Sequence, residues 1–245
     1  MEARMRLKPL YPIVSCLVIA LAVAACAVKD SSHYYKSGME KLKAGSHAGA
    51  IDDFTRALNL DPAMVDALNN RGNARSGAGD FHGAIDDFTR AIAVNPEYFK
   101  AYNNRGTARN ELGDVKGAIR DYTRAIELNR RYVNAFYNRG LALLKTGEVM
   151  KAIEDFSTVI RLNPGDADAY NIRGFARGKL KDYETAIGDF SAAIRHNPAH
   201  GMAYFNRGSL SARAGRMNEA CADMKKAAAL GDKQAVEFIA GQCKQ

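Results

Sequence analysis

The chain has 245 residues, with 35 lysines and arginines against 27 aspartates and glutamates, a formal net charge of +8. That surplus invites a nucleic-acid partner, but the N-terminus is that of an exported chain, which rarely meets nucleic acid, so a basic solvated surface is expected instead. Its histidines and cysteines lack metal-ligand spacing, and no phosphate-binding glycine loop, nucleophile elbow or His-Glu-x-x-His is present, so neither a metal or other cofactor nor catalysis on a small-molecule substrate is expected.

Residues 1–25 read as a secretory signal. Arg4, Arg6 and Lys8 precede an almost wholly apolar run from Leu10 to Ala25, and small residues lead to Cys26. The run Val23-Ala24-Ala25-Cys26 resembles the lipobox of bacterial lipoproteins. That resemblance implies that Cys26 is acylated and becomes the first residue of the mature chain, with residues 26–30 as a lipidated tether. Loss of three cations and one acid then lowers the formal charge from +8 to +6. An uncleaved anchor over residues 10–28 is the alternative, close to the roughly 20 residues that span a bilayer. Pro9, Pro12 and the terminal alanines favour processing. Ala27, where enterobacterial lipoproteins kept at the inner membrane carry aspartate, favours an outer-membrane location facing the periplasm of the bacterial envelope.

From residue 31 a glycine recurs every 34 residues, at Gly38, Gly72, Gly106, Gly140, Gly174 and Gly208. Each follows a large apolar side chain four residues earlier: Tyr34, Leu68, Tyr102, Phe136, Tyr170 and Tyr204. Each precedes a small residue and then Phe54, Phe88, Tyr122, Phe156, Phe190 or Met224. Such spacing predicts two short helices per unit, split at turns such as Gly79-Asp80 and ended by Asn-Pro or Asp-Pro. Glycine and alanine let the two helices approach closely, and the aromatics fill the space between neighbouring hairpins. Arg130 replaces the closing proline of the third unit, so a less sharply ended helix is expected there. Residues 235–245 read as a C-terminal capping helix, with Ala235, Phe238 and Ile239 on one face.

These units resemble the tetratricopeptide repeat (TPR) family. In that frame they are 31–64, 65–98, 99–132, 133–166, 167–200 and 201–234, and the resemblance implies an all-α, right-handed superhelix of six helix-turn-helix repeats plus the cap. It also implies that the first helix of each repeat lines a concave groove for an extended peptide or a partner helix, through the second, fifth, sixth and ninth positions. The sixth position holds Asn70, Asn104, Asn138 and Asn206, interrupted by Lys36 and Ile172. The fifth holds Asn69, Asn103 and Asn171 with Tyr35, Tyr137 and Phe205, and Lys100 stands at the second. Such amides offer both donor and acceptor to the main chain of a ligand; alternatively they are tolerated polar residues beside the Arg-Gly that follows. The terminal-carboxylate clamp of chaperone-binding members is not matched, because Tyr35, Met39 and Asn104 stand where it requires lysine, asparagine and arginine. Positive charge gathers instead on an edge at the thirteenth position, at Lys43, Lys145, Lys179 and Arg213.

Two further regularities are structural. Arg71, Arg105, Arg139, Arg173 and Arg207 precede five of the glycines, and Asp53, Asp87, Asp121, Asp155, Asp189 and Asp223 recur on the second helices, so arginine–aspartate pairs are expected, within or between repeats. Cys221 and Cys243 stand at similar distances from the turn at Gly231-Asp232 on antiparallel helices, and a disulfide is expected in an oxidising compartment; closing such a loop stabilises by roughly 3 kcal/mol on the chain-entropy model. The function expected is a membrane-anchored scaffold for a protein or peptide partner near the membrane, as an assembly factor or adaptor of an envelope complex. The alternative is an accessory subunit packed through its convex face or basic edge.

Overall fold

The computed structural model describes residues 30–243. The signal, the lipobox, Cys26 and all of the tether except Asp30 lie outside the described residues, as do the last two residues of the cap.

Among the described residues there are thirteen helices and no strand. They are α1 (Ser31–Lys43), α2 (His47–Leu60), α3 (Val65–Gly77), α4 (Phe81–Val94), α5 (Phe99–Glu111), α6 (Val115–Leu128), α7 (Val133–Thr146), α8 (Val149–Leu162), α9 (Ala167–Lys179), α10 (Tyr183–His196), α11 (Gly201–Arg213), α12 (Met217–Ala229) and α13 (Lys233–Gln242). Helices pair in order into six hairpins, and each hairpin packs on the next. Beyond these neighbours, first helices of successive hairpins also touch, α1 with α3, α3 with α5, α5 with α7 and α9 with α11, which sets the first helices on the inside of the curve. No described helix is long and apolar enough to cross a membrane.

Local chemistry fixes where each helix starts and stops. The carboxylates of Asp80, Asp114, Asp166 and Asp232 accept from the backbone N–H three residues on, satisfying a donor that the first turn leaves free. Turns inside the hairpins need a left-handed residue, supplied by glycine as at Gly147 (φ 82°), except in the fifth hairpin, where Lys181 adopts φ 64°. The third repeat corrects the expectation of a frayed end. α6 stops at Leu128, and the side chain of Asn129 accepts from the N–H of Arg131, as Asn95 and Asn197 do in their hairpins. The Asx turn at the asparagine ends the helix, and the proline that follows it elsewhere is dispensable.

The core is a row of alternating large and small side chains. Phe54, Phe88, Tyr122, Phe156 and Phe190 are buried, each against the glycine of its own hairpin. A Cβ on Gly72 would lie 2.6 Å from Cε1 of Phe88, so glycine is required by contact there. Met224, Ala227 and Ala235 are buried together under Phe238 and Ile239, so α13 covers the apolar face of the last hairpin. Cys221 and Cys243 are joined by a disulfide, with Cα atoms 5.7 Å apart, tying the end of α13 to α12.

Arginine–aspartate pairs form within hairpins and reach between them. Arg71 donates from Nε and Nη2 to Asp87 of its own hairpin at 2.8 and 2.6 Å, and from Nη1 to the Thr55 hydroxyl of the preceding hairpin at 3.0 Å. Arg105, Arg139, Arg173 and Arg207 repeat the pattern with Thr89, Thr123, Ser157 and Ser191. Arg75, Arg109 and Arg177 add a second guanidinium to their aspartates. In the first hairpin, Asp53 is held by the Ser37 hydroxyl and by Lys41 at 2.6 Å. Asp155 has Arg139 alone, because Leu143 occupies the second-arginine position; burial then pushes its carboxyl above the usual range, against the pull of Arg139.

Candidate functional site

The fifth-position asparagines are spent on the scaffold. Asn69, Asn103 and Asn171 are buried and do not face the groove, which corrects the sequence expectation for the fifth position. Each accepts from the sixth-position amide of the next hairpin: Asn104 Nδ2 to Asn69 at 3.0 Å, Asn138 to Asn103 at 3.1 Å and Asn206 to Asn171 at 2.9 Å. Asn70 donates to the Tyr35 hydroxyl at 3.0 Å, and Asn104 also reaches Asn73. The sixth-position amides are half-buried, and Asn138 and Asn206 still line the inner-face cavities described below, as the sequence led one to expect. A buried amide without a partner is costly, so the ladder satisfies in pairs what a ligand was expected to satisfy. The ladder is interrupted between the fourth and fifth hairpins, where Tyr137 and Ile172 pack on the core instead. Tyr137 is half-buried, edge-on to Phe156 at 5.6 Å, and burial pushes its phenol up, with Asp168 and Asp166 adding to the effect. Lys100 is exposed on α5.

The open part of the inner face lies further along the first helices, in the C-terminal half of the array. Two adjoining cavities share Phe175 and Lys179. One, of about 440 Å³, lies over Tyr122, Leu141, Ala142 and Leu144, and the other, of about 360 Å³, over Phe190, Phe205 and Leu210. Phe175 is 47 % exposed and Leu141 36 %, both at the ninth position of their repeats. Sequence reasoning placed the ninth position in the groove but weighed only its polar neighbours. The available signal was a large apolar residue at a groove position with no counterpart at Thr107 or Ser209.

The basic edge, apart from Lys43, also belongs to this groove, a second correction. Lys145, Lys179 and Arg213 line the same cavities as Phe175. Lys179 sets its ammonium 5.2 Å from the Phe175 ring centroid, and Lys145 donates to Asn110 at 3.1 Å. One acid, Glu111, stands among these linings. His196 ends α10 and stacks on Tyr170, while His200 is buried before α11, so the two are not ligands on one helical face. Among the described residues no group of His, Cys, Asp or Glu side chains converges to hold a metal ion.

Three family profiles match the chain: one described as TPR repeat over residues 106–147, and two described as tetratricopeptide repeat over 65–98 with 133–166 and over 173–235. No curated protein sequence matches it. Among solved structures, MamA is similar at 29 % identity over 66 % of this chain and 94 % of its own, with a TM-score of 0.62. YrrB, described as a TPR protein with an unusual peptide-binding site, superposes at a TM-score of 0.66 with 20 % identity, over 76 % of this chain and 97 % of its own. PilF of Pseudomonas aeruginosa reaches a TM-score of 0.74 with 20 % identity, over 86 % and 96 %. Repeat period, paired helices, capped end and matching profiles agree: the chain is a tetratricopeptide-repeat protein.

Proposed function

We propose that this chain is a lipid-anchored scaffold of six TPR repeats in the bacterial envelope, facing the periplasm, that holds a protein segment on its inner face and keeps it near the membrane. The observation that carries the reading is the pair of open apolar cavities on the inner face, rimmed by Lys145, Lys179 and Arg213, with Phe175 and Leu141 exposed in them among the described residues. The likeness to a TPR protein described as having a peptide-binding site supports it, as does the signal and lipobox ending at Cys26. Four residues, 27–30, separate Cys26 from α1, which holds the array within roughly 20 Å of the headgroups and selects a membrane-proximal partner, as expected of an assembly factor or adaptor.

The test is site-directed photocrosslinking in envelopes that carry the full chain, with the crosslinker placed at Leu141, at Phe175 or on the outer face at Arg90, read by mass spectrometry. Crosslinks from the two inner positions to one protein, absent from Arg90, are the expected result. Crosslinks from Arg90 alone would overturn it and favour an accessory subunit packed through its convex face. Metabolic labelling with a radiolabelled fatty acid is expected to mark the full chain and not a Cys26→Ala variant; an unlabelled wild type would overturn the lipid anchor.

A further inference from the structure

Phe175 divides the inner-face groove into two compartments of similar size, and this division specifies what fits. Its ring projects from the middle of α9, with the cavity over Leu141 on one side and the cavity over Leu210 on the other. Each has more apolar than polar lining, and each is large enough for one bulky side chain with part of its main chain. Three cations stand along the rim, one per hairpin, at Lys145, Lys179 and Arg213, against the single acid Glu111.

Resting on the groove reading above, we infer that the occupant is an acidic peptide segment with two large apolar anchors that straddle Phe175, its carboxylates meeting Lys145, Lys179 and Arg213. Apolar anchors supply affinity by filling the compartments. The rim cations select sign and speed encounter. A basic or purely polar segment is rejected, because it would bring like charge to the rim or leave both compartments empty. The buried asparagines contribute shape alone, since their amides are taken up by the neighbouring hairpin.

Two fluorescein-labelled synthetic octapeptides test this, each with two leucines three residues apart, one filled with glutamates and the other with lysines. Binding to the full chain in detergent is read by anisotropy at low and at physiological salt. The glutamate peptide is expected to bind and to weaken with salt, and the lysine peptide not to bind. Phe175→Ala removes a side chain that is 47 % exposed and is expected to leave the fold intact by circular dichroism while weakening the glutamate peptide at least about tenfold. A Lys145→Glu, Lys179→Glu double variant is expected to exchange the preference for that of the lysine peptide. Equal binding of both peptides, indifference to Phe175→Ala or failure of the exchange would overturn the proposal. So would binding of phosphatidylglycerol vesicles through the rim in place of either peptide. Inner-face crosslinks to a protein with these peptides inert would sink the acidic two-anchor ligand and leave the scaffold standing; loss of both would sink the scaffold itself.

Discussion

Removal of the Asp87 carboxylate is the sharpest test of how the hairpins are held. Asp87 is 1 % exposed at its side chain and receives three charge-assisted bonds, two from Arg71 and one from Arg75 at 2.9 Å. Arg71 is itself buried, and in Asp87→Ala its guanidinium keeps only the Thr55 hydroxyl. An uncompensated buried charge costs about 3–5 kcal/mol, a large share of a domain's net stability. Arg71→Met is gentler, about 2 kcal/mol, because Arg75 still neutralises Asp87. Replacing both partners, Arg71→Met with Asp87→Leu, removes the fully buried pair and leaves Arg75 with the Gly83 carbonyl and Asp80, so it should be less harmful than Asp87→Ala alone. Urea unfolding followed by far-ultraviolet circular dichroism gives the free energies, and hydrogen exchange across α3 and α4 shows whether the loss is local. A cost below about 1 kcal/mol for Asp87→Ala, or a double variant no better than the sum of its singles, would refute the reasoning.

The turn of the fifth hairpin is strained, since Lys181 sits at φ 64° where other hairpins use glycine; Lys181→Gly should raise stability by about 1 kcal/mol, and an unchanged urea midpoint would count against the strain. Asp53 feels burial pushing its carboxyl up, but Lys41 and Ser37 outweigh it and hold it below the ordinary 3.8. Its stabilisation is therefore present above that pH and lost as pH falls through the folded value. Lys41→Met should lower stability at neutral pH by under about 1 kcal/mol, the lysine being 42 % exposed, and the gap to wild type should close in acid. Tyr98 is driven in the other direction, first by burial and then by the 2.7 Å bond it donates to Asp66. Its contribution is full below pH 10.0 and disappears as pH rises through the folded value. Tyr98→Phe should be less stable than wild type at neutral pH and lose less above pH 10.0, read by alkaline unfolding.

The fold was legible because every local rule is repeated in register. A glycine 34 residues from its copies, an aromatic on the second helix and an Asn or Asp stop each predict the same hairpin, and the structure supplies it. The partners of the arginines were half legible. Equal distance from the turn put Arg71 opposite Asp87, but its further bond to Thr55 depends on how one hairpin is rotated on the next, which no single repeat encodes. Burial of Asn69, Asn103 and Asn171 was illegible for the same reason, because an amide enters the interior only if the following repeat brings a donor. Phe175 and Leu141 were overlooked because aligning the repeats averages them with Thr107 and Ser209. In a periodic protein, structure is carried by what repeats and the candidate groove by what does not.

The Cys221–Cys243 bond gives the array a direction. Stacked repeats open from their ends, because an end unit has a neighbour on one side only. Here α12 and α13 cannot part without breaking a covalent bond, whereas the first described hairpin holds its Asp53 with a flexible lysine and a serine in place of arginine. Thermal opening is therefore expected to begin in the first described hairpin and to travel away from it, so that the proposed groove over α7 to α11 lies on the half expected to open last. Reduction of the disulfide would remove that polarity and let the array unzip from both ends.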